Sequence, residues 1–333
     1  MDNDPFLDDS FDADIMGFDE LTPWERVNLA VSGEEVDRLP VCFWHHFKPE
    51  GSGRKLAEAT YAFFIHEFDL DIAKIMPDIP YPFPHNSIRS IDDWRLIEPI
   101  DESSRYFQQR IEAVRLLREM AGPSIPIVMT YFSPLAELMY FAGNKRLVAE
   151  HAQQHPAIIH QALHTVAMNL KRQIDMVIDA GADGTFFAAQ GCTRSLMTEE
   201  VYREIGRPYD LIALEGAADA WLNILHVHGD KDLMFDAVLD YPVSVLSWSD
   251  RLAGPSLREA RTKTSKCLMG GWHEFGPLSN GPEAAILTEA EEAVAQTNGR
   301  KFILANGCSV PDDTDHEWLH MARDLVETIQ FPS

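Results

Sequence analysis

Cysteine is scarce in this chain. Cys42, Cys192, Cys267 and Cys308 are spread over 333 residues, too few and too scattered for a disulfide-stapled scaffold. Basic residues are scarce as well: 28 Lys and Arg stand against 53 Asp and Glu, a formal charge of −25. A surface of that sign repels phosphate backbones and anionic headgroups, so nucleic-acid and membrane-surface roles are set aside. No uninterrupted apolar run approaches the roughly 18–20 residues that a spanning helix requires. The N-terminus lacks the basic and apolar regions of a secretory signal, and with so few cysteines the expected compartment is the cytoplasm. A glycine-rich phosphate turn after the first strand-like run is also missing. Gly51-Ser52-Gly53 is too short and in the wrong context, which counts against a doubly wound nucleotide-binding sheet.

Acidic residues are present in excess, and most densely at the start. The first twenty residues hold eight carboxylates and no basic side chain, the composition of a solvated, disordered tail. Phe6, Phe11 and Phe18 leave open a docking strip for a partner or a neighbouring subunit. Residues 21–333 show no repeat, linker or composition break, so a single catalytic domain is expected there. Within it, short apolar runs alternate with helical periodicities. The runs are 40–44, 71–75, 125–132, 184–189, 223–229, 243–248, 267–271 and 301–307. Two long helical stretches start near Arg105 and Pro156, the second ending near Gly181, and Thr198 and Thr314 each read as an N-cap. Eight strands alternating with helices predict an α/β fold of the (β/α)₈ TIM-barrel type.

A barrel of this kind carries its site at the carboxyl ends of the strands. Those ends are rich in chemistry: Trp44-His45-His46, Pro77-Asp78, Gln190-Gly191-Cys192, His226-Val227-His228, Trp248-Ser249-Asp250, Trp272-His273-Glu274 and Asn306-Gly307-Cys308. Strand side chains alternate faces, so His226 and His228 point the same way, into the mouth. Two imidazoles joined by the Cys308 thiolate suit a borderline-soft ion such as Zn²⁺, with one position open for catalysis. The competing reading makes both histidines neutral, hydrogen-bonded core residues and Cys308 a small buried hydrophobe. Of His45 and His46, one should face the pocket and the other the helix layer. Asp78, pinned between prolines, presents its carboxylate to the mouth.

These residues sit in blocks with a known counterpart. The segment 22–41 carries an R-x-x-x-A-x-x-G-x-x-x-D-R-x-P pattern from Arg26 to Pro40. With the blocks at 131–143, 181–209, 245–251, 268–278 and 302–314, in that order, the chain resembles the uroporphyrinogen decarboxylase superfamily from Leu21 onward. The resemblance implies a (β/α)₈ barrel. Of the superfamily's two branches, the cofactor-free decarboxylases hold substrate carboxylates with arginines and a central aspartate. Cobamide-dependent methyltransferases instead carry zinc on a His-x-Cys motif plus a later cysteine. The decarboxylases' arginine pair after the first strand is replaced here by 43–47, FWHHF. Their aspartate matches Asp78 and their tyrosine Tyr140, while their serine falls at Ala189 and their late histidine at Gly307. In the methyltransferase motif, His226 and Cys308 match, and His228 stands where that branch has its first cysteine.

The sequence therefore leads to a zinc-dependent methyl- or alkyltransferase-like enzyme, with one Zn²⁺ on His226, His228 and Cys308. Asp78, Tyr140 and His273 are the candidates for proton transfer, and Trp44, His45, Trp248, Asp250 and Trp272 for the pocket wall. The expected partners are a small-molecule substrate, a separate protein carrying a corrinoid methyl donor, and a second copy in a homodimer. Two rivals stand beside this reading. One is a decarboxylase centred on Asp78 acting on a tetrapyrrole or smaller carboxylate, and the other is a non-enzymatic ligand-binding barrel.

Overall fold

Each of the eight apolar runs forms a strand: β1 (Val41–Cys42), β2 (Ala73–Ile75), β3 (Ile127–Phe132), β4 (Gly184–Ala189), β5 (Ile224–Val227), β6 (Val245–Trp248), β7 (Cys267–Trp272) and β8 (Phe302–Asn306). The computed structural model describes residues 20–49, 51–84, 87–329 and 331. The acidic stretch with Phe6, Phe11 and Phe18 lies outside the described residues. All strand pairs are parallel, in the order β1-β8-β7-β6-β5-β4-β3-β2. Seven of the eight strands are buried along their whole length. A sheet covered by helices needs apolar side chains on both faces, which is why the runs are continuous rather than alternating. The fold is a curled eight-stranded (β/α)₈ barrel, as the strand count predicts.

The helices begin and end where local chemistry directs. Ser104 opens Arg105–Ala121 by accepting from the Phe107 N–H. Pro156–Asp179 starts on a proline and gives way at Gly181, whose φ of 113° is a left-handed turn suited to glycine. Thr198 caps Glu199–Ile205 through the Val201 N–H. The other expected cap moves by one residue. Asp315, not Thr314, caps His316–Leu325 by accepting from the Glu317 N–H, and the Thr314 hydroxyl donates to Ser279 instead. No helix among the described residues is long and apolar enough to cross a membrane.

The ladder stops between β1 and β2, and a carboxylate closes the seam. The Asp71 N–H donates to the Val41 carbonyl, and the Val41 N–H returns a bond to Asp71 Oδ2 at 2.8 Å. Asp71 is wholly buried and takes ion pairs of 2.6 Å from both Arg26 and Arg38, while Arg26 also binds Asp37. These are the charged residues of the opening pattern. Their work is to fasten the first helix and β1 to β2, at a distance in sequence that composition alone does not reveal. Removing one member of a buried ion network strands the others. Asp71→Asn is expected to lower stability by about 3 kcal/mol in denaturant unfolding. A loss below about 0.5 kcal/mol would deny the seam this role.

Candidate metal centre

His226 lies on β5 with Ser247 of β6 directly opposite in register. Its Nδ1 shares a 3.2 Å hydrogen bond with the Ser247 hydroxyl, which leaves Nε2 unspent. His228 follows two residues on, held by its N–H to the Ala189 carbonyl, and the two rings are 5.6 Å apart. Cys308 arrives from the far side of the sheet, beyond β8, and places Sγ 3.7 Å from His228 Nδ1. One ligand atom from each residue lies within 4.8 Å of the other two. The three residues singled out as metal ligands are thus brought together.

The electrostatics of the group favour neutral imidazoles. Burial pushes His226 well below the ordinary histidine value, and His228 and Lys74 add to the effect. Burial likewise lowers His228 to about 4. Both rings keep lone pairs at neutral pH, the form that binds a metal. Burial raises the Cys308 thiol to about 11, and only a bound cation would draw it into the thiolate form. The loop carrying Cys308 is fixed by Asn306, whose amide donates to the Trp44 and Cys308 carbonyls at 3.2 and 2.6 Å. Gly307 has no room for a side chain: a Cβ there would lie 2.7 Å from Ser249 Cα and 2.8 Å from Glu274 Oε2. The histidine that decarboxylases carry at this point cannot be accommodated.

An aromatic layer inside the barrel adjoins the cluster. Trp44 meets Phe186 edge-on at 5.2 Å, and Phe186 stacks on His226 at 5.3 Å. Between the two rings sits Lys74, with Nζ 5.0 and 4.3 Å from their centroids and, among the described residues, the Met76 sulfur at 2.9 Å as its one hydrogen-bond acceptor. Lys74 is 1% exposed. Burial brings it down to about 7, against the opposing pull of Cys42, Cys308 and Asp78. Sequence reasoning missed this residue, although a lone lysine inside an apolar strand run was the signal.

Other expected residues take unexpected places. His46, not His45, is the histidine bound to Asp78: the His46 Nδ1–H donates to Asp78 Oδ1 at 2.7 Å, and the Phe47 N–H satisfies Oδ2 at 2.7 Å. His45 turns instead to Phe47 and Phe63, packing against the segment after β1, so its assignment to the pocket wall is corrected. Trp248 and Trp272 are corrected too. Both are wholly buried and spend their indole N–H on the Pro255 and Ile286 carbonyls, toward the outer helices. Asp250 accepts from the Gly271 N–H and braces β6 against β7, and burial raises it to about 6. His273 Nδ1 accepts from the Phe275 N–H. Beside it Glu274, wholly buried, accepts from the Ser249 hydroxyl through one oxygen, while Oε2 lies 3.9 Å from His273 Nδ1 and has no hydrogen bond among the described residues. Tyr140 is half-exposed against Phe132 and takes a bond from Gln190. It borders a cavity of about 650 Å³ that also reaches Pro77, the neighbour of Asp78. Cys42, Cys192 and Cys267 are buried, outside the metal-ligand group.

Comparison with known proteins adds four findings. The profile of the uroporphyrinogen decarboxylase family matches residues 69–329. Among solved structures, a methyltransferase from Methanosarcina mazei superposes with a TM-score of 0.73 at 18% identity, covering 93% of this chain and 99% of that one. A B12-independent methionine synthase from a Shewanella species aligns with a TM-score of 0.48 at 12% identity, over 65% of this chain and 64% of its own. No curated protein matches the sequence significantly. At 18% identity the likeness to the Methanosarcina structure speaks for the barrel alone.

Proposed function

The chain belongs to the uroporphyrinogen decarboxylase family, and from that footing we propose a metal-dependent enzyme that transfers a methyl or alkyl group to a nucleophile held at His226, His228 and Cys308. The convergence of three ligand atoms within 4.8 Å at the ends of β5 and β8 carries the reading. The donor set fits Zn²⁺: two neutral imidazoles and one thiolate, with a further position for a substrate atom. Zinc bound there supplies Lewis acidity that lowers the pKa of a thiol or water at the mouth. A methyl donor would arrive on a separate corrinoid protein.

The chain's own residues would do the rest. Ser247 would orient His226 by its Nδ1, the outer-sphere support that metal-binding imidazoles need. Asp78 would act through His46, holding that ring by its Nδ1 so that it can serve in acid–base catalysis. Tyr140 and His273 are the further proton carriers. Trp44 and Phe186 keep water from the inner side of the cluster. A cofactor-free decarboxylase centred on Asp78 is less well supported. Both Asp78 oxygens are engaged, and Arg194 and Arg251, the arginines near the strand ends, are tied to Glu199 and to Gly271 and Glu292.

Protein purified without chelator is expected to carry about one zinc per chain, with bonds of roughly 2.0–2.3 Å by X-ray absorption. Cys308→Ser and His226→Ala should each lower occupancy sharply, in variants shown by circular dichroism to remain folded. Full occupancy in the double variant would sink the assignment.

A further inference from the structure

The cavity beside Tyr140 holds two opposite charges that do not meet. Glu137 and Tyr140 come from the helix Pro134–Ala142, one turn apart on the same face. Glu137 is 5% exposed and makes no side-chain hydrogen bond or ion pair among the described residues. Burial pushes it up to about 7, with Arg110 pulling it back. Arg110, on Arg105–Ala121, is 1% exposed. It donates to the Ile79 and Thr130 carbonyls and lies over the rings of Tyr106 and Tyr131, while its Nε has no partner. Buried charges without counter-ions are costly, and here one of each sign borders the same space.

The remaining wall is aromatic. Tyr81, Phe83, Phe132, Tyr140 and Phe141 line the cavity, with Phe83 stacked flat on Phe141 at 4.2 Å. A volume of about 650 Å³ is that of a small-molecule pocket. A ligand that is only an anion would satisfy Arg110 and be repelled by Glu137, and a ligand that is only a cation meets the reverse. A primary ammonium asks for three acceptors, and this wall offers one carboxylate and tyrosine hydroxyls among ring faces. Ring faces suit an alkylated ammonium, whose charge is spread over its carbon substituents.

We propose that this cavity is the substrate pocket of the barrel mouth and takes a small zwitterion, an alkylated ammonium against Glu137 and the rings joined to a carboxylate at Arg110. The assignment rests on the proposed transferase only for what the ligand is used for, not for whether it binds.

The test uses three probes of one shape: glycine betaine carries both charges, choline only the cation, and 3,3-dimethylbutyrate only the anion. Calorimetric titration of the full-length, metal-free protein at pH 8, where Glu137 is ionised, should show betaine binding about tenfold or more tighter than either analogue. Glu137→Gln, checked for a melting temperature no lower than that of the unaltered protein, should erase the preference for betaine over dimethylbutyrate. The charge series in the unaltered protein tests the idea even where a variant fails to fold. Choline or dimethylbutyrate binding as tightly as betaine, no binding of any probe at millimolar concentration, or a Glu137→Gln protein with its preference intact would each overturn it. Zinc content is measured separately, so loss of the metal reading and loss of the pocket reading are told apart.

Discussion

Methyl transfer from methylcobalamin to a small thiol is expected to fall to the uncatalysed rate when the protein is treated with a chelator, and to return when zinc is added. Uroporphyrinogen should remain unconverted under both conditions. The first half follows from the acidity of the site. Cys308 is held as a thiol near 11 and the imidazoles as neutral bases, so without a cation nothing in the cluster creates a thiolate at neutral pH. The second half follows from the cation inventory. A poly-carboxylate tetrapyrrole needs arginine forks, yet Arg251 reaches back to Gly271, Glu289 and Glu292, Arg110 lines its cavity without a second arginine, and the whole chain carries a formal charge of −25. Gly307 adds a steric bar, since no histidine fits between Ser249 and Glu274. Chelator-resistant conversion of uroporphyrinogen would reverse the ranking and put Asp78 and His46 at the centre.

The three proposed ligand residues were legible for two different reasons. His226 and His228 share a face by strand alternation alone, whereas Cys308 stood out as a thiol just past the eighth strand run, and the resemblance of its block added weight to it. The tryptophans show where such reasoning needs one more step. Ser247 faces His226 across the register, so Trp248, next in the chain, must face outward, and its rich aromatic surface belongs to packing. For His45 and His46, alternation left open which of the two turns to the pocket side. The first strand pairs only over Val41–Cys42, and past its end alternation no longer governs direction. Glu137 and Arg110 could not have been paired from sequence at all. They stand on separate helices whose packing against the barrel brings them to one cavity, and no spacing rule encodes that.

Lys74→Met is expected to stabilise the metal-free protein by on the order of 3–5 kcal/mol near pH 6. The ammonium is 1% exposed, lies against a thioether and two ring faces, and makes no ion pair among the described residues, with Asp78 acting only at a distance. Burial lowers it from the ordinary value of 10.5 to about 7. Below pH 7 the group is charged in folded and unfolded chains alike, so the whole cost of burying the charge is present. Between about 7 and 10.5 the unfolded chain holds the extra proton, and stability of the unaltered protein must rise with pH. Above that range both states are neutral and the cost is gone. Methionine fills a similar volume without the charge, so its advantage should shrink by about 3 kcal/mol between pH 6 and pH 9.5, measured by urea unfolding. The ring contacts work against this, since a desolvated cation over aromatic faces recovers about 2 kcal/mol, which sets the lower end of the range. A gap between the two proteins that does not change with pH would mean that Lys74 keeps its proton throughout, and that an anion drawn from solvent or substrate, not the aromatic layer, balances its charge.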